Sequence, residues 1–125
     1  MWINTHSEKP IFLQIAEQLE DAIVTQIYAE NTQVPSTNEL AGVLGINPHT
    51  VLKGVNLLVQ ENILYKKRGL GMFVCEGAVQ RIQEKRRGQF YEEYVLRMLE
   101  EAKKLQMNKK EILRLLERGF ENERN

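Results

Sequence analysis

Two short runs of side chains hold most of the chemistry available to this chain. Asn47, His49 and Thr50 stand close together and Lys53 follows one helical turn on. At the exposed start of a helix, groups of these types can meet base edges and phosphates in a DNA major groove. The second run is Lys66-Lys67-Arg68-Gly69-Leu70-Gly71. Its cations attract phosphate, and its glycines let backbone approach a phosphate or enter a narrow groove. Each run also has a plainer reading. Cations at a hairpin tip commonly discourage sheet pairing, and His49 can be an ordinary exposed helix residue. The coupling of the two runs favours nucleic acid.

Catalytic chemistry finds little to work with. His6, His49 and Cys75 are the chain's only histidines and cysteine, and their spacing matches no nucleophile-base pair and no metal-ligand framework. No glycine-rich loop lies between an expected strand and a helix, so no cofactor is expected. Cys75 reads as a small apolar residue closing a strand. A lone cysteine and an N-terminus without a signal-peptide pattern point to a cytoplasmic setting, and no apolar run reaches membrane-spanning length.

The elements that must position the two runs follow from periodicity and capping residues. Pro10 opens a helix with Ile11, Ile15, Leu19, Ile23 and Ile27 at steps of four. Ser36 and Glu39 are spaced as a capping box for a short helix through Leu40, Ala41 and Leu44, which Gly45 ends. Asn47-Pro48 opens the next helix, through Val51, Leu52, Val55, Leu58 and Val59. So tight a connection reads as helix-turn-helix. Two short strands, Ile63–Tyr65 and Met72–Cys75, should flank the basic turn. From Ala78 the pattern predicts a long helix with a kink near Gly88, its Arg81, Lys85, Arg86 and Arg87 forming a solvated face. Asn108 and Glu111 then cap a last helix carrying Ile112, Leu116 and Phe120.

With 125 residues, 42% of them hydrophobic, the chain can build one compact domain and little more. Its 17 basic and 17 acidic residues cancel. Their distribution is uneven: residues 1–44 are net −5, residues 45–88 net +5, and the remainder neutral. The basic block contains both chemical runs and is a candidate phosphate footprint.

The stretch from Pro10 to Val74 resembles the winged-helix domain of the GntR family of bacterial transcription regulators. The resemblance is carried by Pro10–Ile15, Val34-Pro35-Ser36-Thr37-Asn38-Glu39-Leu40-Ala41, Leu44–Val51 and Arg68–Val74. The tail of about fifty residues is too short for the large effector-binding domains of most branches, and Asn47-Pro48-His49-Thr50-Val51 resembles the small YtrA-type branch, which implies a tail of two helices used for dimerisation. The resemblance implies DNA contacts from Ser36, Thr50, Lys53 and the Gly69-Leu70-Gly71 wing. Asn38 stands where the family usually has a phosphate-contacting arginine, and an asparagine can still donate to phosphate. Leu70 replaces a common polar wing residue, and Asn62 stands where glycine is usual.

The combined expectation is a mainly α fold with a small β-hairpin. Residues 1–77 form a winged helix-turn-helix domain and residues 78–125 a helical dimerisation region. The expected function is that of a non-enzymatic, homodimeric repressor on a two-fold-related double-stranded DNA operator. Its DNA-binding residues would be Ser36, Asn38, Asn47, His49, Thr50, Lys53, Lys66, Lys67, Arg68, Gly69 and Gly71. Phe90, Tyr94, Met98, Leu99, Leu105, Ile112, Leu116 and Phe120 exceed the apolar surface two helices can cover, and are assigned to the dimer contact. An effector, whether a small molecule or a metal, is left open. The rival class is a protein-interaction module whose winged helix has lost DNA binding.

Overall fold

The computed structural model describes residues 2–123. Six helices and one hairpin occur in the order α1 (Ile11–Val24), α2 (Thr37–Leu44), α3 (Pro48–Gln60), β1 (Leu64–Lys67), β2 (Gly71–Val74), α4 (Ala78–Phe90), α5 (Leu96–Lys104) and α6 (Lys109–Glu123), with a π-helical stretch at Tyr91–Val95. They pack as two units, the first reaching Lys85 and the second beginning at Arg86.

The core of the first unit follows from the four-residue apolar spacing of α1. Ile15, Leu19 and Ile23 are fully buried against Val51, Val55 and Leu58 of α3, Leu40 and Ala41 of α2, and Leu64 and Val74 of the hairpin. Alternation along the strands turns Leu64 and Val74 inward. Gly54 allows the helices to meet: a Cβ there would stand 2.6 Å from the Phe12 carbonyl oxygen. α1 stops earlier than its apolar spacing suggests. Thr25 turns its hydroxyl back to the Asp21 carbonyl at 2.7 Å, Gln26 takes φ 68°, and Ile27 is left 71% exposed.

Local capping signals act as their spacing requires. The Ser36 hydroxyl accepts from the Glu39 N–H at 3.1 Å while the Glu39 carboxylate accepts from the Ser36 N–H at 3.2 Å. Gly45 ends α2 at φ 66°, and the Asn47 side chain caps α3 by accepting from the His49 N–H at 2.8 Å. Asn108 and Glu111 form the same reciprocal pair before α6.

The hairpin is longer and wider than the sequence suggests. Lys66 and Lys67 belong to β1, paired with Met72 and Gly71, so the turn narrows to Arg68-Gly69-Leu70. The segment before α2 joins as a third line of backbone: Asn31 donates to Val74, Val34 to Met72, and Val74 to Thr32, at 2.8–3.0 Å. The cationic stretch therefore sits on a braced sheet.

The start of α4 belongs to the first unit. Ala78 and Ile82 are fully buried in its core. The Glu30 carboxylate accepts from the N–H groups of Gly77 and Val79 at 2.8 and 3.1 Å, capping a helix 47 residues further on. These two bonds hold the carboxyl below its ordinary range. Arg81 is exposed as expected but hydrogen-bonded, whereas Lys85 departs from the expected solvated face. The Arg81 guanidinium donates to the carbonyls of Asn62 and Glu76 at 2.8 and 3.1 Å. Lys85 joins buried Glu20 of α1 and lies 3.2 Å from Glu61 at the end of α3. Burial alone would lower the Lys85 ammonium, but hydrogen bonds and charge from Glu20 and Glu61 outweigh it and raise the group.

In the second unit the helical assignment runs through Gly88 without interruption. Gly88 keeps a helical backbone with nothing crowding it. The irregularity falls at Tyr91–Val95, where the Leu96 N–H reaches back five residues to the Tyr91 carbonyl. Ala102 is the only buried residue among the described residues of this unit.

Candidate nucleic-acid interface

The α3 surface is built by one helical stripe. His49, Lys53, Asn56 and Gln60 recur at steps of three and four, and all are exposed. Together with Leu52, Leu57 and Phe12 of α1 they line an open depression of about 420 Å³. The Lys53 ammonium lies 4.2 Å from the centroid of the Phe12 ring, so the charged head of this exposed side chain is held over an aromatic face. Asn47 uses its side-chain oxygen as the α3 cap, leaving the amide nitrogen to face solvent. Thr50 is half-buried beside them.

A second concavity, of about 330 Å³, separates α3 from the hairpin. Ser36 and Asn38 at the start of α2, Leu52 and Asn56 of α3, and Lys66 and Gly71 of the hairpin share its lining. Leu52 and Asn56 thus form the ridge between the two concavities. Asn56 was not singled out by sequence reasoning. Its place seven residues after His49 on the same stripe was the available signal.

The hairpin divides its cations by strand alternation. Lys66 shares the face of buried Leu64, whereas Lys67 lies on the other face with its ammonium 4.5 Å from the Phe73 centroid. Tyr65 stacks on that same Phe73, with 5.8 Å between centroids. Arg68, Gly69 and Leu70 form the exposed tip. Gly69 and Gly71 take φ 78° and 115°, a region that side chains other than glycine's resist. The amide of Gln33, another residue outside the sequence-derived set, donates to the Leu70 carbonyl at 2.6 Å. No short-range spacing signals that contact.

Eight of the eleven residues assigned to DNA are exposed, while Ser36, Thr50 and Gly71 are half-buried. All eleven lie on α2, α3 and the hairpin or at their caps. Of the residues assigned to the dimer contact, Ile112 is half-buried and the other seven are exposed. Among the described residues no group of three histidines, cysteines or carboxylates is placed to hold a metal. Burial raises the Cys75 thiol, with Arg81 partly opposing it. No helix among the described residues is long and apolar enough to cross a membrane.

Comparison with known proteins bears on the same surface. The family model of bacterial regulatory proteins of the gntR family matches residues 12–74. The HTH-type transcriptional repressor YtrA of Bacillus subtilis (strain 168) is 33% identical over 82 residues, which cover 66% of this chain and 63% of that protein. The chain therefore spans less than two thirds of that relative's length. A GntR family transcriptional regulator from Listeria monocytogenes superposes with a TM-score of 0.72 at 28% identity, over 90% of this chain and 96% of the other. The DNA-binding domain of AraR in complex with operator ORX1 gives 0.54 at 28% identity, over 60% of this chain and 93% of that one. Because the family match takes in the helix pair and the hairpin together, this chain belongs to the gntR family of bacterial regulatory proteins and is similar to its YtrA-type members.

Proposed function

We propose that this chain is a cytoplasmic, homodimeric repressor that docks α3 in the major groove of a two-fold-related operator and sets its hairpin beside the same half-site. The observation that carries the reading is the exposure of His49, Lys53 and Asn56 on one face of α3, together with Lys66, Lys67 and Arg68 on a braced hairpin. Base contacts belong to the start of α3, and phosphate contacts to Ser36, Asn38 and the hairpin cations. The likeness to the AraR domain on its operator supports the docking surface. The likeness to a protein named as a repressor supports the direction of regulation.

The dimer contact is assigned to the second unit, where Phe90, Tyr94, Met98, Leu99, Leu105, Leu116 and Phe120 are exposed. A self-complementary two-fold contact covers such a surface. It also sets two recognition helices about 34 Å apart, one turn of DNA. The discriminating experiment is duplex affinity as a function of salt. Each phosphate neutralised contributes about 0.9 to the slope of log K against log salt. A steep slope supports the regulator, and a chain that binds duplex DNA at no salt concentration is a protein-interaction module instead.

A further inference from the structure

Gln33 lies before α2, outside the helix pair and outside the hairpin, yet it is attached to the hairpin in three ways. Its backbone bridges to Phe73 on β2. The flanking bonds, Val34 N–H to Met72 and Val74 N–H to Thr32, are 2.9 and 3.0 Å and fix its register along that strand. Its side-chain amide then crosses to the hairpin tip and donates to the Leu70 carbonyl at 2.6 Å. The same amide fills the space beside Gly71, where an added Cβ would come within 2.7 Å of Nε2.

The tip has little else to hold it. Arg68, Gly69 and Leu70 are exposed, two of the four residues from Arg68 to Gly71 are glycines at positive φ, and the turn's own bond is Leu70 N–H to the Lys67 carbonyl at 2.9 Å. Glycine-rich turns lose most conformational entropy when they are ordered, so one further bond to the tip carries weight. Gln33 also stands three residues before the Ser36 cap and shares with Ser36, Asn38, Lys66 and Gly71 the lining of the concavity between α3 and the hairpin.

We infer that Gln33 is a positioning residue that clasps the hairpin tip through the Leu70 carbonyl, holding the Lys66–Arg68 cations in register with the α2 cap for a DNA backbone. This rests on the proposed reading of the hairpin as a DNA-contacting wing. It touches no phosphate itself in that account. It also explains Gly71 by more than its torsion angle, because a side chain there would displace the amide.

The test uses Gln33→Met, which keeps length and removes the donor, in the full chain. In the free protein, hydrogen exchange at the Leu70 amide reports the turn directly. A net hydrogen bond of this kind corresponds to roughly five-fold in an equilibrium, so exchange should speed up by about that factor while amides of α1 and α3 stay unchanged. On duplexes selected by the wild-type chain, affinity should fall about five-fold and the salt slope should decrease. Unchanged Leu70 exchange overturns the clasp. Faster exchange with unchanged affinity and slope overturns its role in positioning for DNA. A wild-type chain that selects no duplex overturns the functional reading instead, and the exchange measurement then decides the clasp by itself.

Discussion

Lys53 and the hairpin cations differ in what holds them, and that difference sets what their loss should do. Lys53 is fixed by the Phe12 ring within the α3 stripe, whereas Lys67 rides on Phe73 and Arg68 stands at an open tip. Lys53→Ala is expected to cost about 1–3 kcal/mol at one base-pair position and little elsewhere. Replacing Lys67 and Arg68 together by alanine should weaken all duplexes alike and lower the salt slope by about two. Titrations of each variant against a panel of single-site operator mutants separate the two patterns, and wild-type behaviour in both variants would mean a different docking surface. The stripe that contains Lys53 was half visible in the sequence. His49 and Lys53 are charged or titratable groups near a cap, while Asn56 and Gln60, neutral and further along, carry the shared spacing as their only signal.

The helices are held by devices of two ranges, short ones that spacing reveals and long ones that only the fold brings together. Ser36 with Glu39, Asn108 with Glu111, and Gly45 could be read from sequence because a cap and its partner lie within four residues. Glu30 on Gly77 and Val79, Glu20 and Glu61 on Lys85, and Gln33 on Leu70 are separated by 24 or more residues, and no local pattern marks them. Glu30→Ala should cost about 1 kcal/mol at neutral pH, the usual worth of a helix N-terminal cap. Because the folded carboxyl titrates below its ordinary 4.5, this contribution is present above that value and disappears as pH falls through the lowered one. Denaturant unfolding of wild type and variant should therefore converge toward acid; a gap that stayed constant down to acid pH would show that the charge of Glu30 is irrelevant. Gly88 supplies an independent check on α4. A glycine in a helix interior with open space around it should gain about 0.5–1 kcal/mol on replacement by alanine, and a loss on melting Gly88→Ala would place a bend or a tight contact there after all.

At the scale of the molecule, the basic middle of the chain and its neutral tail differ in how much apolar surface they bury. The first unit buries a continuous core that includes Ala78 and Ile82, while the second buries only Ala102 among its described residues and exposes Phe90, Met98, Leu99 and Phe120. A chain with that much uncovered apolar surface is expected to sediment as a dimer at micromolar concentration, and Leu99→Glu with Phe120→Glu should return it to a monomer that remains folded. The same core sets where a truncation can fall. Cutting after Gly77 removes Ile82 and Lys85, so that fragment should be destabilised, whereas a cut after Arg87 spares the core. The central claim, that a pair of these chains reads a two-fold DNA site, is tested most directly by selecting bound duplexes from a random pool. The account predicts a palindromic consensus with half-sites centred about one helical turn apart, bound with an affinity that falls steeply as salt rises. Recovery of no consensus, or of a single asymmetric half-site bound without salt dependence, would contradict it.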